Sequence, residues 1–317
     1  MIDIVLQTER LTKRYGSLTA VQDLSLQVYE GEVFGFLGPN GAGKTTSINM
    51  LCGLLKPDAG RVLIHGVPVN GGDAAVRARV GVCPQNIVLW NTLTCIEQLE
   101  FIGEMYGVPR KMARQRGESL LDIMGLAEKR NQLARTLSGG MQRRLNLIMA
   151  LVHDPDILVL DEPEAGLDPQ SRVLVREYVR SLARKANTVR PKTIILTTHN
   201  MDEAERMADR VAIIDHGKLL IVDTPEALKR TVGEGDVLEI EVTGVTAERA
   251  VAAVTSLVPE VSTTNHTLII RARGVVERLP AILDALRGAD AHPGEVRLRA
   301  NTLEDVFISL TGRRLRE

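Results

Sequence analysis

The residues with the clearest chemistry form a glycine-rich loop that ends in a lysine and two hydroxyls. The loop follows the pattern G-x-x-x-x-G-K-S/T and consists of Gly38, Pro39, Asn40, Gly41, Ala42, Gly43, Lys44 and Thr45, with Thr46 next in the chain. Glycines let successive backbone N–H groups point inward around phosphate oxygens, and the lysine can reach the β- and γ-phosphates of a nucleotide. The Thr45 hydroxyl suits Mg²⁺, which binds few protein oxygens together with phosphate. The loop therefore predicts a site for Mg·ATP.

Two acidic residues, Asp161 and Glu162, directly follow the apolar segment 157–160. This short segment of Ile, Leu and Val predicts a buried strand. Because successive side chains along a strand alternate in direction, the two carboxylates can take separate parts in phosphoryl transfer. We expect Asp161 to hold Mg²⁺ together with Thr45, and Glu162 to orient or deprotonate the attacking water.

The surrounding pattern predicts an α/β domain that positions these residues. Residues 32–37 form a compact apolar strand before the loop, and a helical segment follows the loop. Short apolar strands at 193–197 and 211–214 alternate with helical segments, which is typical of a mostly parallel sheet covered by helices. The first thirty residues alternate as antiparallel strands, so the sheet structure is mixed. Between about residues 86 and 150 only helical periodicity remains, and we expect a helical subdomain inserted there.

A second, smaller domain is expected after a glycine-containing linker at residues 233–236. Its predicted elements are a strand at 237–243, a helix at 247–257, two short strands around Asn265 and His266, a helix at 276–287 and a strand at 295–299. This β-α-β-β-α-β order is that of ferredoxin-like α+β domains. We therefore predict two domains, residues 1–232 and residues 233–317.

The chain ends in a predicted amphipathic helix. A capping-box-like start at Thr302 precedes apolar residues at helical spacing, and Gly312 ends the segment. The apolar residues are Leu303, Val306, Phe307 and Leu310. We expect this helix to pack on another part of the protein.

Composition and charge narrow the class of protein. With 44% hydrophobic and 25% charged residues, the 317-residue chain is an ordinary globular protein able to bury a core. Its 39 Lys and Arg residues nearly balance 40 Asp and Glu residues, so no overall field favours nucleic acid as a partner. The basic pair Arg143 and Arg144 is expected on a solvated helix face. The three cysteines are odd in number and have no C-x-x-C spacing, so neither a disulfide framework nor a zinc site is expected.

The sequence predicts a cytoplasmic protein. Residues 1–7 lack the basic start and long apolar stretch of a secretion signal. No segment of the sequence approaches the roughly 20 apolar residues needed to cross a bilayer. The best candidate, residues 145–160, is interrupted by His153, Asp154 and Asp156. Any membrane role is therefore expected to depend on a partner.

Residues 137–144 add a further motif, Leu-Ser-Gly-Gly-Met-Gln-Arg-Arg, in which the sequence resembles the ATP-binding cassette (ABC) ATPases. The signature of that family is this Ser-Gly-Gly turn at the head of a helix. The resemblance covers roughly residues 1–230 and implies a P-loop ABC nucleotide-binding domain. It implies that Tyr15 stacks on adenine and that Gln85 and His199 sense the γ-phosphate and the water-metal geometry. It also places Asp168 in the family's D-loop.

The resemblance also implies a working dimer. In the family two cassettes meet head to tail, and the phosphates held by one P-loop are closed by the counterparts of Ser138 and Gly140 on the other subunit. A helix amino terminus suits an arriving γ-phosphate. We expect a second ABC ATPase subunit, in a homodimer, although the sequence leaves a heterodimer open. The predicted catalytic residues are Lys44, Gln85, Glu162 and His199.

One residue departs from the family pattern. Most members carry a small Thr or Ser after the Asp-Glu-Pro, where this chain has Glu164. A further carboxylate near the site could weaken phosphate binding or change how the D-loop acts across the dimer. The alternative is a solvated side chain. Because Glu162 is present, the site is not interpreted as inactive.

The segment after Gln85 is rich in apolar and aromatic residues. They are Leu89, Trp90, Leu93, Leu99, Phe101 and Tyr106. In transporters of the family this region forms a groove for a coupling helix of the membrane subunit, and Trp90 is the candidate anchor because aromatic residues dominate interface hot spots. The alternative is an ordinary core of the helical subdomain. The ending at residues 303–312 resembles an exporter branch that includes daunorubicin-type resistance ATPases.

Together these features imply the ATP-hydrolysing subunit of an ABC transporter, peripheral on the inner face of the cell membrane. It would power export of an unidentified substrate through a separate integral membrane permease. One alternative is a non-transport soluble ABC ATPase acting as a nucleotide switch, but such proteins usually carry two cassettes or long coiled-coil insertions. A regulatory subunit with little turnover is the other alternative, against which the intact Lys44, Asp161, Glu162 and His199 argue.

Overall fold

The computed structural model describes residues 3–69, 78–184, 191–232, 236–258, 260–264, 267–272 and 274–312. The chain divides into two compact units on either side of the Pro225–Glu226 bond. The sequence predicts the change of domain at residues 232 and 233 instead. Most of the predicted linker, residues 233–235, lies outside the described residues, as does the predicted turn at Asn265 and His266.

The strands of the first unit form two sheets. They are β1 Ile4–Tyr15, β2 Leu18–Tyr29, β3 Val33–Leu37, β4 Ala59–Ile64, β5 Val67–Pro68, β6 Val80–Cys83, β7 Ile157–Asp161, β8 Thr193–Thr198, β9 Arg210–Asp215 and β10 Lys218–Asp223. One sheet has the order β2-β1-β4-β5 with antiparallel neighbours. The other has the order β10-β9-β3-β8-β7-β6, in which β10 runs antiparallel to β9 and the other neighbours are parallel. The predicted mixed α/β architecture is confirmed.

The centre of the six-stranded sheet is built from strands that are buried along their whole length. Every residue of β3, β7 and β8 is buried, as expected for parallel strands covered on both faces. Leu37 pairs with Thr198, and Asp161 pairs with Thr197, so these three strands end level with one another. Residues that follow β3, β7 and β8 are therefore brought to one edge of the sheet.

The helices of the first unit follow the predicted division into core and inserted subdomain. Within the described residues they include α1 Lys44–Leu51, α2 Cys95–Met105, α3 Arg110–Ile123, α4 Gly139–Met149, α5 Pro169–Ala183 and α6 Met201–Met207. The segment between β6 and β7 is helical, with two short 3₁₀ turns, Ala127–Lys129 and Ala134–Thr136, before α4. A capping box between Thr94 and Glu97 starts α2 and supplies partners for amide groups at that helix end.

The second unit is a four-stranded sheet with helices. Its elements are α7 Pro225–Thr231, β11 Asp236–Thr243, α8 Ala247–Val254, β12 Glu260–Thr264, β13 Thr267–Ala272, α9 Val275–Gly288, β14 His292–Arg299 and α10 Leu303–Thr311. The sheet has the order β12-β13-β11-β14, and all neighbours are antiparallel. From β11 to β14 the element order is the predicted β-α-β-β-α-β. The likeness to ferredoxin-like domains stays a prediction.

Helix α10 has the ends that the sequence predicts. Thr302 and Asp305 form a capping box at its start, and Gly312 ends it in a left-handed conformation with φ of 71°. Leu303, Val306 and Phe307 are fully buried. Leu310 in the last turn is 43% exposed, so the buried face of the helix is formed by the other three apolar residues.

Candidate active site

The glycine-rich loop is shaped by close backbone approaches that only glycine tolerates. Gly43 has a φ of 101°, and a Cβ atom there would lie 2.4 Å from the carbonyl oxygen of Ala20. At Gly38 a Cβ would lie 2.2 Å from the carbonyl oxygen of Ile214. The loop passes from β3 into α1, whose first residue is Lys44, so backbone amide groups of the helix start face the loop.

Lys44 is held inside this loop. Its side chain is buried, and Nζ donates hydrogen bonds to the carbonyl oxygens of Gly38 at 2.7 Å and Pro39 at 3.1 Å. Burial lowers the pKa of the Lys44 ammonium group, whereas the nearby Glu162 and Asp161 carboxylates act to raise it. The lysine is therefore a partly desolvated cation facing two carboxylates.

Asp161 and Thr45 bring two hard oxygen groups together at the end of β7. The Thr45 hydroxyl Oγ1 lies 3.4 Å from Asp161 Oδ2, to which it donates. The Thr197 hydroxyl donates to the other carboxylate oxygen, Oδ1, and so orients the group. Oxygen ligands of this kind are those that Mg²⁺ prefers, and the pair fits the predicted metal position.

Glu162 occupies a strained backbone position between two other predicted site residues. Its φ is 50°, which is unusual for a residue with a long side chain, and its amide donates to the Thr197 carbonyl oxygen at 3.1 Å. Its Oε1 lies 2.8 Å from His199 Nδ1, and its Oε2 accepts from Gln85 Nε2 at 2.9 Å. The buried carboxylate is thus fixed in one direction by groups from β6–α2 and β8–α6 loops.

A cavity of about 480 Å³ lies beside these groups, a size typical of small-molecule sites. Its lining includes the loop residues 40–41 and 43–46 together with Tyr15, Gln85 and Glu162. Tyr15 is 51% exposed, and Lys13 Nζ lies 5.8 Å from its ring centroid. His216 also lines the cavity, although the sequence carries no motif that singles it out.

Ser138, Gly140 and Asp168 form a separate group. Ser138 caps α4, and its Oγ accepts from the Met141 amide at 3.4 Å. Asp168 caps α5 by accepting from the Ser171 amide at 3.0 Å, and hydrogen bonds from the Ser171 side chain and amide lower the pKa of the Asp168 carboxyl group. A Cβ on Gly140 would lie 3.5 Å from Asp168 Oδ1. Within the described part of the chain, the signature turn therefore meets Asp168 and does not line the cavity beside Lys44.

Arg143 is a central structural residue, contrary to the solvated position predicted for it. It is only 4% exposed, so the expected solvated helix face is incorrect. Its guanidinium donates to the backbone oxygens of Pro84, Gln85, Asp161 and Glu162 at 2.7–2.8 Å. The signature helix is thereby tied to both loops that carry the predicted catalytic residues Gln85 and Glu162. Arg144 is half-buried and donates to the Met124 carbonyl oxygen at 2.6 Å.

Glu164 is neither solvated nor aimed at the phosphate loop. It is 7% exposed, and Arg176 of α5 binds it through two hydrogen bonds of 2.8 Å and 2.7 Å. The solvated alternative is therefore wrong. The neighbouring Glu203 is also buried and accepts from the Thr198 hydroxyl at 2.6 Å. Burial, together with the charges of Glu164 and Glu162, raises the pKa of Glu203 to about 7.

A P-loop follows β3, an Asp-Glu pair lies at the end of β7, and a Ser-Gly-Gly turn begins α4. Together these features define an ABC-type nucleotide-binding ATPase. A family model described as ABC transporter matches residues 21–165. The chain belongs to the ATP-binding cassette family of transporter ATPases, and it binds and hydrolyses ATP as an exporter-type subunit.

Similar proteins cover nearly the whole chain. The Nod factor export ATP-binding protein I of Ralstonia nicotianae is 42% identical over 99% of this chain and 95% of its own length. The linearmycin resistance ATP-binding protein LnrL of Bacillus subtilis is 36% identical over 99% of this chain and 100% of its own length. A solved dimeric bacterial ABC transporter cassette, MJ0796, has a TM-score of 0.64 and 25% identity, covering 69% of this chain and 98% of that one.

Proposed function

We propose that this subunit drives export through a separate membrane permease by ATP-dependent dimerisation and hydrolysis. The observation that carries the catalytic part is the meeting of Lys44, Asp161 and Glu162 at one edge of the sheet, with Glu162 held between Gln85 and His199. Phosphoryl transfer depends mainly on positioning and charge stabilisation, and this arrangement supplies both.

Each site residue has a distinct proposed task. Glu162 orients the attacking water and accepts its proton, while His199 and Gln85 keep the carboxylate in place. Lys44 stabilises charge on the β- and γ-phosphates, and Tyr15 stacks on adenine. Thr45, Asp161 and the side-chain amide oxygen of Gln85 would hold Mg²⁺, which neutralises charge on the phosphate oxygens when bound.

A second copy is proposed to complete the site. Ser138 is exposed at the start of α4, and Gly140 beside it is half-buried, so the helix amino terminus can receive a phosphate from another chain. Their separation from the cavity beside Lys44 supports closure across a head-to-tail homodimer. The similar cassette MJ0796 was solved as a dimer.

A second cavity supports docking of a permease. It measures about 460 Å³ and its lining includes Trp90, Ile102 and Tyr106 as well as Thr45, Gln85 and Asp161. Trp90 is 37% exposed and contacts the ring of Phe101 edge to face at a centroid distance of 5.1 Å. One wall is thus aromatic and open, and another is shared with the catalytic groups, which offers a direct route for coupling.

The apolar residues after Gln85 divide between the two predicted roles, a core of the helical subdomain and a groove for the membrane subunit. Leu99 is fully buried and belongs to the core of the helical subdomain. Trp90, Phe101 and Tyr106 are 37–41% exposed. Tyr106 also stacks on His153 at a centroid distance of 3.9 Å, and burial lowers the pKa of His153 to about 4, so that this ring is neutral at physiological pH. The exposed aromatic group is therefore the proposed docking surface.

Replacing Trp90 with Ala is expected to reduce substrate export at least tenfold and to leave the ATPase rate of the isolated subunit within about twofold, because truncating an interface anchor costs 2 kcal/mol or more of binding. Transport in vesicles and phosphate release from the purified subunit measure the two effects. Leu99→Ala is the matched control in the core, where about 2–5 kcal/mol of folding stability is lost instead. A fall in basal ATPase activity for Trp90→Ala would favour a core role.

The proposed location of the subunit at the membrane depends on its binding to the permease. In the described portions of the chain, no helix combines the length and hydrophobicity of a membrane span. We place the subunit on the cytoplasmic face of the membrane, attached through the aromatic cavity. The similar proteins are named for Nod factor export and for linearmycin and daunorubicin resistance, so export fits better than uptake, and substrate choice is assigned to the permease.

Purification of the tagged protein from its native host tests this function. Membranes are solubilised in mild detergent, and co-purifying proteins are identified by mass spectrometry. A multi-span membrane protein at matching stoichiometry is expected. Recovery with soluble partners alone would reject the transporter function and support a soluble nucleotide switch.

A further inference from the structure

Strand β14 is an edge of the sheet in the second unit. Among the residues that the structure describes, the sheet order β12-β13-β11-β14 gives it one neighbour, β11. It is eight residues long, and residues 294–298 are all exposed. Edge strands carry backbone groups ready to pair with another strand, and natural proteins usually shorten or cover them. A long, exposed edge is therefore a candidate interaction surface.

Two apolar side chains of β14 lie on the core side of the sheet but are not covered. Val296 pairs with Ile240, and Leu298 pairs with Leu238. Directly paired residues in antiparallel strands place their side chains on the same face. Ile240 and Leu238 are 0% and 1% exposed, whereas Val296 and Leu298 are 38% and 51% exposed. The apolar face of the sheet thus continues onto β14 beyond the part that the helices cover.

The charged residues of β14 alternate with these apolar ones. Glu295 and Arg297 lie on the opposite face of the strand and form two hydrogen bonds of 2.8 Å with each other. They flank Val296 symmetrically. In an antiparallel pair of identical strands centred on Val296, Glu295 would face Arg297 of the partner subunit. By symmetry, Arg297 would face Glu295 of the partner subunit. The strand is therefore complementary in charge to a second copy of itself.

We propose that β14 pairs antiparallel with β14 of a second copy of this chain, with Val296 on the two-fold axis. The two four-stranded sheets would join into one continuous sheet. The pairing covers Val296 with the same residue of the other copy and sets Leu298 opposite the partner's Gly294, where no side chain stands in its way. This contact is made by the second unit and does not require nucleotide, so it is separate from closure of the ATP sites.

Cysteine cross-linking tests the register. The native Cys52, Cys83 and Cys95 are buried and free, so an exposed engineered cysteine reports its own contacts. Cα atoms of directly paired residues are about 4.5–5.5 Å apart, within the range a disulfide bridges. Val296→Cys should therefore form a covalent dimer under mild oxidation without nucleotide. Leu298→Cys is the control, because the two copies would be about 13 Å apart along the strands.

Charge exchange supplies an independent test. In the Val296→Cys background, Glu295→Arg should reduce the cross-linked fraction at least fivefold by placing like charges opposite each other. Adding Arg297→Glu should restore the cross-linked fraction, because opposite charges then face each other again with their positions exchanged. Circular dichroism and thermal unfolding of each variant monitor folding of the second unit, which carries β14. Equal cross-linking at Val296 and Leu298, no cross-linking at Val296, or no rescue by the double exchange would overturn the proposal.

Discussion

Replacing Glu162 with Gln is expected to slow ATP hydrolysis by about 10²–10⁴-fold, or roughly 3–5 kcal/mol of barrier, while ATP binding is retained. The amide preserves size and can still lie between Gln85 and His199, but it cannot accept a proton from water. The carboxylate contacts neither Lys44 nor the loop by a direct hydrogen bond in the described contacts, so nucleotide affinity should change little. Phosphate release and equilibrium ATP binding measure the two quantities.

The same variant should also accumulate as a dimer in Mg·ATP, because closure no longer ends in hydrolysis. Light scattering after size exclusion, with and without nucleotide, measures this change. Glu104→Gln is a suitable control, because that side chain is 47% exposed and its ion pair with Arg110 is long, at 4.0 Å. Near wild-type turnover in Glu162→Gln would remove Glu162 from the proposed role, and a persistent monomer at saturating ATP would contradict the head-to-tail model.

The positions of Asp161, Glu162 and His199 could be predicted because each lies at or directly after the end of an apolar strand. A run of buried residues before Gly38, Asp161 and His199 indicates parallel strands, and the ends of such strands meet at one sheet edge. The local sequence indicates these strands and where they end, whereas the roles of Gln85 and His199 are implied only by the family resemblance. The same is true of the capping box at Thr302 and the left-handed Gly312, where neighbouring residues in the chain make the contacts.

Residues whose surroundings come from distant segments could not be placed in this way. Arg143 and Glu164 are charged, and charged residues are rarely buried unless they are paired. Their burial depends on carbonyl groups 18–59 positions away for Arg143 and on Arg176, 12 positions away, for Glu164. Similarly, Leu99 and Phe101 differ by two positions on one helix, yet only the tertiary structure decides that the first is core and the second is open.

The position of Glu164 shows how such a pairing changes the expected chemistry. A free carboxylate at position 164, close to the predicted catalytic Glu162, would repel phosphate, but the Arg176 guanidinium neutralises it within the fold. Arg172 on the same helix donates to the Leu167 carbonyl oxygen at 2.9 Å. Helix α5 thus holds the segment before Asp168 at two points, Glu164 and Leu167. Glu164, which departs from the family pattern, supplies one of these two contacts.

Replacing Arg143 with Ala is expected to lower the free energy of unfolding by about 3–5 kcal/mol and to reduce ATPase activity, because it leaves four backbone carbonyl oxygens, two buried and two partly buried, without their charged donor. Arg143→Lys should recover only part of the loss, since one ammonium group cannot reach two pairs of carbonyls as a planar guanidinium does. Urea unfolding and phosphate release measure both effects. Arg144→Ala is the control on the same helix: it removes one hydrogen bond to a backbone carbonyl oxygen and should cost about 1–2 kcal/mol of stability. Equal losses of stability for the two alanine variants would show that Arg143 does not hold the loops of Gln85 and Glu162 together.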